Sequence, residues 1–461
     1  MDRRRFLSTS GMAGLGLTRS SLWVHAGDQA TRRVRPASRR SVILLWMAGG
    51  PSQIDTWDPK PLRPVENRGP FSTIASAVSG IRLAEHLPLQ AAMLDRFTIV
   101  RSFDAAGSDH SPGRVMQTGN PLASPRRNAA GALYPAMGSV VAKFRGPNQP
   151  GLPAYVAFNR DPNHVPGGGY IGMQYDPMNG HRAAGLPDYE GFGRLMGQDA
   201  EASEALRFTL PDGVSLDRLD RRRKLLGGLD RVTSGIDPTG TMKAIGHFQQ
   251  EAVDMIVGGR ARDAFDLSQE PEQVREKYGR QLWCQQALIA RRLVESGVSF
   301  VTVDLTMGIN AGDWDSHGDQ HVFGGISTGL KPLLPVFDHL ITTLVSDLEE
   351  RGLLDDVLIL ALGEFGRSPV MGTQKGFTGG RNHWPRVMSM CLAGGGLNHG
   401  RVVGSSDQSG GEIHSQPVTP FDLAATVYRH MEIPPETTYE DTSGRPRLIV
   451  EGNGRPIGEI G

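Results

Sequence analysis

The chain reads as an α/β protein, with a mainly parallel sheet sandwiched by helices. Three observations predict this. Short runs are apolar without alternation, as in SVILLWMAGG (41–50), VSFVTVDL (298–305) and VLILALGEFG (357–366). That is the pattern of strands buried on both faces. Segments with apolar residues at helical spacing lie between such runs, so strands and helices alternate. The 461 residues are 38% hydrophobic, which is enough for a large core.

The first residues read as an address rather than as part of the fold. Arg3, Arg4, Arg5, Phe6 and Leu7 fit a twin-arginine pattern, a Gly/Ala-rich apolar stretch follows, and Val24-His25-Ala26 is a small-residue cleavage site. A leader over 1–26 implies export by the twin-arginine machinery to the periplasm or cell surface. Residues 27–40 are polar and Arg-rich, a disordered lead-in to a single domain over 41–461.

The elements of that domain follow in order. Ser41–Gly50 is a strand and turn. LPLQAAMLDRFTIVRSF gives a helix and then a strand near Phe97–Arg101, and LPAYVAF gives a third strand. Residues 158–240 are rich in Gly, Pro, Asn and Asp and read as an insertion around the site. PEQVREKYGRQLWCQQALIARRLVESG is a helix with a stop at Gly297, followed by the strand VSFVTVDL. LKPLLPVFDHLITTLVSDLEERGLLDD is a second amphipathic helix; VLILALGEFG and VMSMCLAGGG are further strands.

Composition narrows the function. With 49 basic and 49 acidic residues the chain carries no net charge, so nothing suggests general nucleic-acid binding. No run of apolar residues is long enough to predict a membrane span. Cys284 and Cys391 are the two cysteines, too few for a disulfide framework, and both lie in core-like runs.

In parallel sheets, ligands bind beyond the carboxyl ends of the strands. Four strand edges here carry polar clusters. GGPSQIDTWDP places Asp55 after the first strand, and GDWDSHGDQH places Asp315 and His317 after VSFVTVDL. GEFGRSP places Glu364 after the next strand, and GRNHWP holds His383 before another. Asp, Glu and His suit zinc, manganese and similar ions. Taken alone, each has a simpler role: Asp55 as a turn or cap residue, Glu364 as a partner of Arg367, and His383 as a packed side chain. Asp58 and Asp319 read as turn residues. Together the cluster predicts one or two divalent ions, zinc or manganese, clamping an ester under displacement.

The motifs GGPSQIDTWDPKP, GDWDSHGD, GEFGRSP and GRNHWP, in this order, resemble the DUF1501 family of exported bacterial proteins. That family is related to sulfatases and the alkaline phosphatase superfamily. The resemblance implies an alkaline phosphatase/sulfatase-like fold. It implies metal ligands at Asp55, Asp315, His317, Glu364 and His383, and a closing helix in VTPFDLAATVYRHMEIPP. It also places the nucleophile in GSDHSPGRVMQTGNP. There His110 stands where sulfatases carry their modified residue, and Thr118-Gly119 comes one residue early. Ser111 is then a metal-activated alkoxide, an N-cap before Pro112, or both; water is the alternative nucleophile. His110 serves as ligand or acid, Asp109 as a further ligand, and Arg114 or Arg367 as the holder of an anionic oxygen.

The resulting expectation is an exported metallohydrolase acting on an anionic phosphate or sulfate ester, a sulfated or phosphorylated polysaccharide being one such substrate. Its rivals are a non-catalytic periplasmic or surface binding protein with a degenerate metal site, and a mutase or phosphodiesterase on the same scaffold.

Overall fold

Ser41 and five apolar residues, through Trp46, form the inner strand β1, with every side chain buried. The structure is a computed structural model, and it describes residues 39–108, 114–158, 164–180, 259–306, 313–318, 324–372 and 378–459. The expected leader, Asp109, His110, Ser111, Asp319 and most of the expected insertion lie outside the described residues, as does the lead-in up to residue 38.

Seven further strands join β1: β2 (Phe97–Phe103), β3 (Tyr155–Phe158), β4 (Met178–Asn179), β5 (Phe300–Asp304), β6 (Val357–Leu362), β7 (Met388–Gly394) and β8 (Arg401–Val403). The sheet order is β8-β2-β7-β6-β1-β5-β3-β4. β1 runs parallel to β5 and β6, β3 to β4 and β5, and β8 to β2. β7 is antiparallel to both β2 and β6. The sheet is therefore mainly parallel, as expected, with one reversed strand that the sequence pattern did not reveal.

Helices cover both faces. Side chains alternate along a strand, so β1 feeds two cores. Ile43 and Leu45 pack in one core with α2 (Leu282–Ser296) and α3 (Lys331–Glu350). Val42, Leu44 and Trp46 pack in the other with α1 (Met137–Phe144) and α4 (Pro420–His430). The helix expected through 271–297 is two helices. Gly279, at φ 86°, ends Glu272–Tyr278 before α2 begins. α4 starts as its sequence dictates: Thr419 and Asp422 form a reciprocal capping box, with Pro420 in the first turn. Cys284 and Cys391 are free and buried. Burial pushes the Cys284 thiol up to about 12 and Cys391 further still, which leaves both as inert core residues.

The reversal of β7 matters for the site. Its first residue lies at the edge where β1, β5 and β6 end, so a segment that precedes β7 in sequence reaches the carboxyl rim of the sheet.

Candidate metal centre

The loop after β5 is anchored by a buried tryptophan. Trp314 is fully buried, stacks on Trp283 at 5.8 Å between ring centroids, and donates its indole N–H to the Leu305 carbonyl at 2.9 Å. With the tryptophan sunk in the core, the flanking polar residues are held at the rim. Asp315 and His317 are both buried.

His383 arrives from the opposite side on a short antiparallel ribbon that pairs His383 with Arg367 and Trp384 with Gly366. The ribbon is pinned by Ser368 N–H donating to the Asn382 carbonyl at 2.8 Å. The Trp384 indole donates to Gly411 O at 2.6 Å, and the two loops are tied by Arg381 N–H donating to Ser316 O at 2.8 Å.

These supports bring Asp315, His317 and His383 together, with one potential ligand atom from each lying within 4.8 Å of the others. His317 Nε2 lies 2.7 Å from His383 Nε2 and 3.1 Å from Asp315 Oδ1. His383 Nε2 is 3.6 Å from Asp315 Oδ2. Two imidazole nitrogens and a carboxylate converging on one point form a donor set suited to a borderline divalent ion. The His383 side chain remains 37% exposed, so the group opens to solvent on that side.

Arg367 fixes this arrangement from below. Its side chain is fully buried, and Nη1 contacts Asp315 Oδ1 at 2.6 Å. Nε donates to Gly50 O at 2.9 Å and Nη2 to Gly49 O. Burial lowers its pKa, and the charges of Asp315 and Glu364 oppose that shift. Its donors are committed to protein atoms, so Arg367 positions Asp315 rather than holding a substrate oxygen.

The structure does not bring every expected ligand into the group. Glu364 is buried at the rim, and its carboxylate accepts Gly49 N–H at 2.9 and 3.1 Å. Among the described residues it is not part of the three-residue cluster. Asp55 is also buried, but its Oδ2 accepts from Arg381 Nε at 2.6 Å and from Ser52 Oγ at 2.5 Å. The geometry gives Asp55 an arginine as its near cation. Asp58 is likewise a bonded residue, 3.0 Å from Lys60 Nζ and 3.5 Å from Arg101 Nε.

On the side of the expected nucleophile, His110 and Ser111 fall outside the described residues. Arg114 opens the helix Arg114–Thr118, and its Nη1 donates to Ala132 O at 2.9 Å. Burial lowers its pKa. Sequence reasoning missed a pair close to this helix. Asp304, the last residue of β5, lies 2.8 Å through Oδ2 from His164 Nδ1. An aspartate closing an otherwise uncharged, buried strand was the signal for Asp304. His164, in a Gly/Pro-rich stretch, offered none.

Similarity to solved structures is distant. The PsFucS1 sulfatase from Pseudoalteromonas sp. matches with 10% identity and a TM-score of 0.36, over 86% of this chain and 68% of that one. The lipoteichoic acid synthase LtaP from Listeria monocytogenes matches with 9% identity and a TM-score of 0.38, over 92% and 76%. The phosphonate monoester hydrolase of Agrobacterium radiobacter matches with 13% identity and a TM-score of 0.33, over 87% and 75%. The search of curated proteins returned no match. The family described as "Protein of unknown function (DUF1501)" matches residues 39–460, and the chain belongs to that family.

Proposed function

We propose that the chain is a metal-dependent hydrolase of phosphate or sulfate esters, exported through its twin-arginine leader to the periplasm or cell surface. The observation that carries this reading is the convergence of Asp315, His317 and His383 beside a buried arginine at the carboxyl rim. A zinc or manganese ion bound there would supply Lewis acidity toward an ester oxygen. The remaining roles belong to the chain itself. Arg367 holds Asp315 Oδ1, which also faces His317, and leaves Oδ2 on the side of His383. Glu364 supplies a further carboxylate at the same rim. Arg114 steadies the anionic substrate, and the attacking oxygen comes from Ser111 or from water, with His110 alongside. Polyanionic sugars carrying such esters fit this chemistry.

The test pairs elemental analysis with hydrolysis of aryl phosphate and aryl sulfate. Wild-type protein should carry metal and turn over one of the two esters. Asp315→Ala and His383→Ala should lose metal and activity together, and full activity in either variant contradicts the site.

One observation favours the rival reading of a non-catalytic binding protein with a reduced site. Asp55, expected as the first ligand, is occupied by Arg381. Bound metal without turnover of any ester in the same experiment would select that reading.

A further inference from the structure

The Asp304–His164 pair is absent from the mechanism above, and its construction is specific. Asp304 is 2% exposed. Its Oδ2 bonds His164 Nδ1 at 2.8 Å and accepts from Thr306 Oγ1 at 3.0 Å. Its Oδ1 is buried with no hydrogen-bond partner among the described residues. A carboxylate buried so deeply is costly without a cation. Burial raises the Asp304 carboxyl; its bond to His164 opposes the rise and the charge of Glu364 adds to it. A protonated imidazole beside it relieves that cost, and with Nδ1 on the carboxylate the ring's second proton sits on Nε2.

Placement ties the pair to the site. Asp304 sits at the carboxyl end of β5, in register with Trp46 of β1, on the rim that carries Glu364. His164 is held to the helix that starts at Arg114: Gln117, three residues along that helix, donates Nε2–H to the His164 carbonyl at 2.6 Å. The His164 side chain is 12% exposed, so it is not sealed in the core.

We propose that His164 is the general acid of this site and that Asp304 is its positioning residue; the proposal rests on the ester-hydrolase reading. The attacking oxygen forms its bond to phosphorus or sulfur while the bond to the leaving oxygen breaks. The electron pair stays on that leaving oxygen, which takes the proton from His164 Nε2. The imidazole is left neutral, with its Nδ1–H still on Asp304.

General-acid catalysis matters only when the leaving group is poor, and that decides the experiment. Wild type, His164→Asn, His164→Gln and Asp304→Asn are assayed on a nitrophenyl ester and on an alkyl ester of the same acid. Metal content and thermal unfolding are followed in parallel. The alkyl ester should slow by about 100-fold or more in the variants. The nitrophenyl ester should change by less than about threefold, because its leaving group needs no proton, and metal content should hold. Equal losses on both esters would show a structural role and overturn the proposal, as would no loss on either. A wild type that turns over neither ester overturns the hydrolase reading itself and the acid role with it, and that outcome is visible before any variant is made. Nitrogen-15 histidine spectra of the wild type give a check that no folding defect can spoil. The proposal requires His164 protonated at Nδ1, and a bare Nδ1 with the proton fixed on Nε2 contradicts it.

Discussion

Two arginines decide what the buried carboxylates of this rim can do. Arg367 orients Asp315 toward the histidines, while Arg381 takes Asp55 for itself. Both members of the Asp55–Arg381 pair are 1% exposed, so removing one strands the other in the core. Arg381→Ala should therefore cost about 3–5 kcal/mol of stability, read from the urea midpoint. A change near zero would mean that Asp55 finds another cation, and the ligand role expected for it would regain its place. At this scale the sequence was informative about type but not about pairing. The residues Asp315, His317 and His383 were legible because Asp and His recur at strand ends. Arg381 stood two residues before His383 in GRNHWP and passed unnoticed, since nothing in a sequence tells which carboxylate an arginine will meet.

The loops that carry the ligands depend on glycines for their close approach. Gly380 packs against the carbonyls of Ser316 and His317, where a Cβ would overlap backbone atoms that cannot move aside. Gly380→Ala replaces no ligand side chain, yet it should push the two loops apart and lower metal affinity by about 10-fold to 100-fold, measured by metal titration. Unchanged affinity would mean that the loops do not set the geometry.

A second element-scale prediction concerns α3, whose Asp338 accepts the N–H groups of Leu89 and Gln90 at 2.8 Å each. Burial pushes the Asp338 carboxyl up to about 6, against the two N–H bonds. The folded value lies above the ordinary value, so the folded chain holds this proton more tightly. The stability contribution is fully present below the ordinary range near 4 and is lost as pH rises through about 6. The difference in urea midpoint between wild type and Asp338→Asn should change across that window and be flat above it. A difference independent of pH would place the Asp338 titration elsewhere.

The elements themselves were largely readable, because uniformly apolar runs mark strands buried on both faces. Gly279 was a visible glycine inside a helical pattern, but only its φ of 86° shows that the helix stops there.

At the scale of the whole molecule, a single reversed strand assembles the site. β7 runs against β6 and β2, so its leading segment, with His383, reaches the edge where β5 delivers Asp315 and His317. The sequence indicated a mainly parallel sheet and placed His383 before a strand. It carried no sign of strand direction, because an apolar strand buried on both faces reads the same in either sense. The Asp304–His164 pair was hidden for a related reason. Its two members lie 140 residues apart and meet only once β5 is next to β3.

The central claim is that this rim holds a metal through Asp315, His317 and His383. Elemental analysis of the purified chain beside its Asp315→Ala and His383→Ala variants tests it most directly. The account predicts stoichiometric zinc or manganese in the wild type and its loss in both variants, with the fold intact by circular dichroism. A wild type that takes up no metal after incubation with either ion, or variants that retain it in full, would contradict the claim.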